Sequence, residues 1–371
     1  MYLARPSQSE LYNFHIPEIL ANAHTNIVEL SKTTIKFVTE GAFDTDVISH
    51  CDVYRQSEDD QTPEQNHEFG QQDEQQRAQL VLLGEALNLE KLEKIQTALA
   101  DKLQFKLWKI RPRAIGIGVV AKASVELKAH AANSEDHVSD AIDALCQQYR
   151  LEITLVSNPP VLSKGGLMVM DMDSTLIAVE CIDEIAKLAG MGDKVASVTE
   201  RAMQGKLDFA ESLYSRVECL TGVEESLLEG IRDRLPLMPG VTKLISYMQR
   251  NGWKVVIASG GFTYFADYLK ERLDMYKAVS NTLEVKDGKL TGKILGGVVD
   301  ADVKAETLES LASQLDVPKS QTIAVGDGAN DLVMMSKAAM GVAYHAKPIV
   351  RENATAAIRF GGLDTMLDFL D

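Results

Sequence analysis

Hydrophobic positions are distributed unevenly along the chain. Thr33–Glu40 (TTIKFVTE) alternates apolar and polar residues as a strand does, but the rest of residues 1–55 shows no clean period and its fold stays open. Residues 56–76 (QSEDDQTPEQNHEFGQQDEQQ) then hold no Lys or Arg and a single aromatic. Such a stretch buries too little surface to offset its ordering entropy, so residues 56–77 are expected to be an acidic flexible linker.

From residue 78 the pattern sharpens. Ala78–Leu83 (AQLVLL) is a short apolar run, and Leu87–Leu103 repeats Leu89, Leu92, Ile95 and Leu99 at helical spacing. Phe105–Ile110 and Ile115–Val120 look like strands, Asp136–Arg150 like a helix and Leu151–Val156 like a last strand. That β-α-β-β-α-β order predicts a ferredoxin-like (ACT-like) α+β domain over residues 78–160, closed by Asn158-Pro159-Pro160. The fold alone says little about what such a module does.

Beyond Gly165, the strand-like runs Leu167–Met170, Lys254–Ser259, Thr322–Gly326 and Met340–Tyr344 alternate with amphipathic stretches. Short buried runs of this kind predict a Rossmann-like parallel sheet wrapped by helices, an α/β domain over residues 165–371. About eighty residues separate the first two runs, far more than one crossover needs. Within them Ile182–Leu235 reads as several helices, an inserted helical cap at about 180–237. Val285–Gly297 (VKDGKLTGKILGG) reads as a hairpin turning at Asp287-Gly288.

Length and composition narrow the choices. With 371 residues, 45% hydrophobic and 25% charged, the chain has room for two or three globular domains and is neither fibrous nor wholly disordered. Its formal net charge of −16 repels phosphate backbones and anionic lipid, so neither nucleic acid nor a membrane surface is expected as a partner. An anionic ligand must then be held by a few local cations or a metal. The four cysteines (Cys51, Cys146, Cys181, Cys219) form no CxxC pair, the first residues lack a signal peptide's apolar run, and no window is long and apolar enough to span a membrane. A soluble cytoplasmic protein with reduced thiols is expected. A homodimer is compatible with the sequence.

The strand-like run LMVM leads directly into Asp171-Met172-Asp173-Ser174-Thr175. In open parallel sheets ligands bind at the carboxyl ends of strands. Two carboxylates one residue apart there must be compensated, most simply by a metal ion with oxygen ligands. Alone, this loop serves as well for a helix cap. However, Thr322–Gly326 also ends in an acidic loop, Asp327-Gly328-Ala329-Asn330-Asp331, and VVIA leads into Ser259-Gly260-Gly261, whose adjacent glycines would let backbone N–H groups approach an oxyanion. One such loop has a bland explanation; three at strand tips point to a site.

These residues resemble the haloacid dehalogenase-like phosphatases. The DMDST at 171–175, Ser259, Lys304 and the GDGAND at 326–331 follow that family's four motifs in order and spacing. The resemblance covers about residues 165–371. Flanking segments (VECIDEIAKLAG at 179–190, GKLDFAESLYSRV at 205–217, LPLMPG at 235–240, ASGGFT at 258–263) are similar to the branch acting on O-phosphoserine. The resemblance implies Mg²⁺-dependent hydrolysis of O-phosphoserine to serine and phosphate through an aspartyl-phosphate, the last step of serine biosynthesis. It implies Asp171 as nucleophile and Asp173 as acid and base. Mg²⁺ would be held by Asp171, the Asp173 backbone carbonyl and Asp327, with Asp331 supporting the loop. Ser259, Gly260, Gly261, Lys304 and Asn330 would contact the substrate, with Glu180 on its amine, Arg216 on its carboxylate and Phe209 closing over it. Without the resemblance, Lys304, Glu180 and Arg216 read as solvated and Phe209 as core. His345 and the cysteines are left as structural.

Two other functions share these features. A phosphotransferase to another alcohol such as homoserine would use the same intermediate. An amino-acid-sensing regulator would use the 78–157 module beside a dead enzyme domain, against which the complete set of acid, metal and phosphate residues argues.

Overall fold

The computed structural model describes residues 27–30, 35–38, 51–53, 78–84, 87–113, 119–128, 135–203 and 208–371. The expected linker at 56–77 lies outside them. The chain divides into two compact units, Met1–Asn158 and Pro159–Asp371.

In the first unit, strands β1 (Ile27–Leu30) and β2 (Ile35–Val38) pair antiparallel, the second falling within the alternating TTIKFVTE. A short strand β3 (Cys51–Val53) adds to the edge of a sheet built from β4 (Ala78–Gly84), β5 (Leu103–Pro112), β6 (Val119–Leu127) and β7 (Glu152–Ser157). These four strands lie antiparallel in the order β5-β6-β4-β7, with helix α1 (Leu89–Leu99) after β4 and α2 (Glu135–Tyr149) after β6. This is the split β-α-β-β-α-β arrangement. Asn88 caps α1 by accepting from Lys91 N–H at 2.9 Å. Leu92, Ile95 and Leu99 of α1 pack with Leu80, Leu82, Ile142, Cys146 and Ile153 in one core.

One strand is displaced from its expected place. Residues 114–118 lie outside the described residues, and β6 continues to Leu127 rather than ending at Val120. Its inward positions are Ala121, Ala123 and Val125, alternating with Lys122, Ser124 and Glu126. Alanine is a weak strand former, so the run past Val119-Val120 is less apolar than the strand it belongs to.

The second unit is a seven-stranded sheet made from β8 (Gly166–Met170), β9 (Trp253–Phe262), β10 (Lys277–Lys286), β11 (Lys289–Leu295), β12 (Thr322–Gly326), β13 (Met340–Tyr344) and β14 (Ala356–Ile358). Its order is β11-β10-β9-β8-β12-β13-β14, parallel throughout except for β11. Every residue of β8, β12 and β13 is buried, as strands covered on both faces must be. Leu167 and Val169 join one core with Leu308 and Leu311 of helix α9 (Ala301–Gln314) and with Met334 and Met335 of α10 (Leu332–Lys337). Met168 and Met170 alternate onto the opposite face. Helices α7 (Val241–Arg250) and α8 (Thr263–Arg272) also pack on β9.

Between β8 and β9 lies the helical insert: α3 (Cys181–Leu188), α4 (Gly192–Met203), α5 (Phe209–Glu218) and α6 (Ser226–Arg232). It is fastened to the β10–β11 hairpin by backbone bonds. Gly222 N–H donates to Leu290 C=O, Leu290 N–H to Val223 C=O, and Glu225 N–H to Gly288 C=O, each at 2.8 Å. The hairpin turns at Asp287-Gly288, both with positive φ (50° and 74°), a left-handed pair suited to a two-residue connection.

The crowding at the start of β8 makes a testable point. A Cβ on Gly166 would strike the Gln321 carbonyl oxygen and lie 2.7 Å from the Trp253 ring. Gly166→Ala should therefore destabilise this unit by about 1–3 kcal/mol through overpacking, read as a lowered urea midpoint. An unchanged midpoint would show that the strand has room the structure does not reveal.

Candidate active site

Three strand tips converge at the carboxyl edge of the sheet. β8 runs out through Asp171, whose N–H donates to Val325 C=O at 2.9 Å and so extends the parallel pairing with β12 by one residue. The chain then coils tightly, with the N–H groups of Leu176 and Ile177 donating to Met172 C=O at 2.8 and 3.0 Å. Ser174 takes a left-handed φ of 55° in this coil. Met172 is fully buried and anchors the loop beneath its two flanking carboxylates.

β12 delivers Asp327, and the turn after it delivers Asp331. Gly326 has no Cβ for a reason: one would collide with the Asp331 carboxyl. Asp331 is completely buried, its Oδ2 accepting from Gly328 N–H at 3.1 Å and its Oδ1 from Lys304 Nζ at 2.7 Å. Asp327 Oδ1 accepts from the buried Thr175 hydroxyl at 3.3 Å.

Lys304 comes from the first turns of α9, begun by Asp300, which accepts from Val303 N–H at 3.0 Å. Its side chain is 0% exposed, and its Nζ lies 3.0 Å from Asp171 Oδ1 as well as 2.7 Å from Asp331. It is therefore not the solvated lysine that its local sequence suggests. Burial opposes its charge, but the adjacent Asp171 and Asp331 carboxylates outweigh burial and hold the ammonium protonated above its ordinary range.

One oxygen from each of Asp171, Asp327 and Asp331 falls within 4.8 Å of the others. Three carboxylates against one ammonium leave the cluster short of positive charge. Burial, then Asp171, Asp331 and Glu180, push the Asp327 carboxyl up to about 7. Burial and Asp171 likewise raise Asp331 to about 6, against the pull of Lys304. This donor set, all oxygen and in negative excess, fits a hard divalent cation. Asp331 already gives one oxygen to Lys304 and the other to Gly328, so Asp171 and Asp327 are the better-placed side-chain ligands.

The Asp173 carboxyl turns elsewhere. Its Oδ1 accepts from Cys181 N–H at 3.2 Å, at the start of the insert. Burial, with the charges of Glu180 and Asp171, raises it to about 8, so it holds a proton at neutral pH. Any metal contact by Asp173 would come from its backbone. Glu180 follows just before α3, exposed, and accepts from Ser174 Oγ at 2.7 Å.

On α5, Asp208 and Glu211 form a capping box that fixes where the helix starts, and therefore where Phe209 points. The Phe209 ring comes within 2.8 Å of the place a Gly260 Cβ would occupy. It thus lies over Gly260 and is not simply core. Two turns along, Arg216 has a buried Nε without a hydrogen-bond partner and exerts an attractive field on Glu180. Ser259 is buried at the end of the β9 run, and its Oγ accepts from Gly261 N–H at 3.0 Å. The Gly261 N–H is therefore committed to the loop itself. Asn330 turns back onto Gly328 in the turn after β12. Ser174 and Thr175, both inside DMDST, hold Glu180 and Asp327, partnerships that nothing in their local sequence signals.

Sheet order, insert position and carboxylate cluster together define a haloacid dehalogenase-like hydrolase, and residues 166–339 match the family described as haloacid dehalogenase-like hydrolase. The phosphoserine phosphatase of Vibrio cholerae is 56% identical over 221 residues, 60% of this chain and 67% of that one. The enzyme of that name from Haemophilus influenzae is 45% identical over 291 residues, 78% and 88% of the two chains. A solved structure of a phospho-aspartyl intermediate analogue of phosphoserine phosphatase superposes with a TM-score of 0.53 at 39% identity, over 56% of this chain and all of that one (100%). The chain belongs to the phosphoserine phosphatase family.

The electrostatics predict a pH signature for the metal-free protein. Carboxyls whose folded pKa is raised contribute stability that is complete below their unfolded values near 4 and lost as pH climbs through the folded values of about 6 to 8. In chelator, the melting temperature should fall between pH 5 and 8, and a divalent cation should flatten the slope. Asp327→Asn should reduce that slope; wild-type steepness in this variant would remove Asp327 from the cluster's charge balance.

Proposed function

We propose that this protein is a Mg²⁺-dependent phosphoserine phosphatase, hydrolysing O-phosphoserine to serine and phosphate through an aspartyl-phosphate on Asp171, the serine-forming step of serine biosynthesis. The observation that carries this reading is the buried Asp171–Lys304–Asp331 chain, with Asp327 alongside and the Asp173 carboxyl facing the insert.

Uncatalysed phosphomonoester hydrolysis is among the slowest of reactions, requiring up to ~10²¹-fold acceleration. General acid–base catalysis supplies ~10²–10⁴ of that, so a covalent route that splits the barrier is favoured. Asp171 and Asp327, with the Asp173 backbone carbonyl, would hold Mg²⁺. When bound, the ion supplies the positive charge that lets a carboxylate approach a phosphate dianion.

The remaining steps belong to side chains. Asp171 attacks phosphorus while Lys304, the Ser259 hydroxyl and the Gly260 N–H hold the phosphoryl oxygens. Asp173 gives its proton to the departing serine oxygen, which explains why a carboxyl kept protonated near pH 7 is useful there. The same group then accepts a proton from the water that attacks the aspartyl-phosphate. Glu180 receives the substrate ammonium and Arg216 its carboxylate, with the unpartnered Arg216 Nε supporting that assignment. Phe209 excludes water above Gly260, and Asn330 borders the acidic loop.

The residue 78–157 module, with its split β-α-β-β-α-β order, is assigned as ACT-like. Cys146, Cys181 and Cys219 are free, as a reducing cytoplasm would keep them.

Two variants test the mechanism. Asp171→Asn should abolish the acid-stable phosphoenzyme and reduce phosphoserine turnover by roughly 10⁴-fold or more. Normal turnover would remove Asp171 from its role. Arg216→Ala should lower kcat/KM for phosphoserine by roughly 10²-fold while sparing p-nitrophenyl phosphate. Equal losses on both substrates would argue against Arg216 as the carboxylate contact.

A further inference from the structure

The parallel ladder between β9 and β10 breaks where the site is built. Val256, Ile257 and Ala258 pair with Lys277, Ala278 and Val279, and the register then shifts so that Asn281 faces Phe262. Ser259, Gly260 and Gly261 therefore lie in the interrupted stretch. Buried backbone groups released from a ladder need other partners.

Asn281 provides one. It is 1% exposed, and its Nδ2 donates to Gly260 C=O at 2.8 Å while its Oδ1 accepts from Val299 N–H at 2.8 Å. Only one orientation of the amide satisfies both neighbours, since a carbonyl can only accept and an N–H only donate. Both consequences reach the phosphate grip. Across the planar trans peptide the Gly260 C=O and the Gly261 N–H point in opposite directions. Holding the carbonyl on Asn281 turns the Gly261 N–H toward Ser259 Oγ, where it is found at 3.0 Å. That bond occupies a Ser259 lone pair and leaves its O–H to donate. On the other side, Val299 immediately precedes Asp300, the cap of the helix that carries Lys304.

We propose that Asn281 is a positioning residue for phosphate recognition, clipping the Ser259–Gly261 loop to the start of the Lys304 helix so that both grip one phosphoryl group. This deepens the function proposed above and rests on it for the roles of Ser259 and Lys304. No sequence pattern marks the residue; it is a polar position in an edge-side strand.

The test uses the full chain with Mg²⁺, titrating inorganic phosphate by calorimetry and measuring inhibition of turnover by L-serine. Asn281→Ala and the near-isosteric Asn281→Asp, which keeps the acceptor but cannot donate to Gly260, should each weaken phosphate binding roughly 10-fold or more. L-serine inhibition should stay within about 2-fold of wild type, because its contacts with Glu180 and Arg216 do not depend on the clip. Unchanged phosphate affinity in Asn281→Asp overturns the proposal. So does an equal loss for phosphate and serine that tracks a lowered melting temperature, which would make Asn281 a packing residue only. A wild-type chain that binds phosphate but does not turn over phosphoserine would refute the proposed function and leave this assignment standing.

Discussion

A buried ammonium sits between two carboxylates, and the geometry of the catalytic edge depends on that contact. Lys304 reaches Asp171 and Asp331 from a helix while those two aspartates hang from neighbouring strand tips. Removing one partner of a fully buried pair leaves an uncompensated charge, at a cost of about 3–5 kcal/mol. The triad therefore fixes the helix, the two loops and the cation site relative to one another. Its net negative charge is not a defect. Three carboxylates against one ammonium leave an excess of negative charge that a divalent cation would offset.

Burial does more than concentrate charge; it separates two carboxyls that lie one residue apart. Asp171 faces the lysine. Asp173 faces an insert N–H and Glu180, and is driven toward its neutral form. Residues two apart on an extended strand would share a face, so the divergence comes from the tight coil in which the chain turns back on the Met172 carbonyl just past the strand end. Two chemically identical residues are thereby placed in opposite environments, which suits the nucleophile and proton-donor roles proposed for them. The overall charge of −16 would repel a phosphorylated substrate, so local cations set against local carboxylates must decide recognition.

The insert and the core communicate through the β10–β11 hairpin. Its far end binds the insert through backbone bonds around Leu290, and its near end carries Asn281 against the Ser259–Gly261 loop. Gly292 lies in this contact with φ of 79°, where a side chain would collide with Thr221 and approach Glu218. The hairpin expected from its Asp287-Gly288 turn is thus a structural link between the helical insert and the Ser259–Gly261 loop.

Much of this protein is legible without coordinates because local pattern and local chemistry coincide. Continuous apolar runs at Leu167–Met170 and Thr322–Gly326 have the length and bounds of strands buried on both faces, and each stops at an acidic loop. The Asp287-Gly288 turn declares its hairpin, and the spacing of Leu89, Leu92, Ile95 and Leu99 declares its helix. Other features were hidden for definite reasons. Alanines on the inner face of β6 hold a strand together by packing rather than by propensity, and Lys304 carries no mark of burial in VVDADVKAETLESL. Asn281, the partnering of Ser174 with Glu180, and the closure of Phe209 over Gly260 are long-range or torsional facts. By itself the sequence determined which residues could bear the chemistry, because composition and periodicity place carboxylates and glycines at strand ends. Only the tertiary structure decided which of them meet, because buried charge is tolerated solely where distant segments of chain supply its partner.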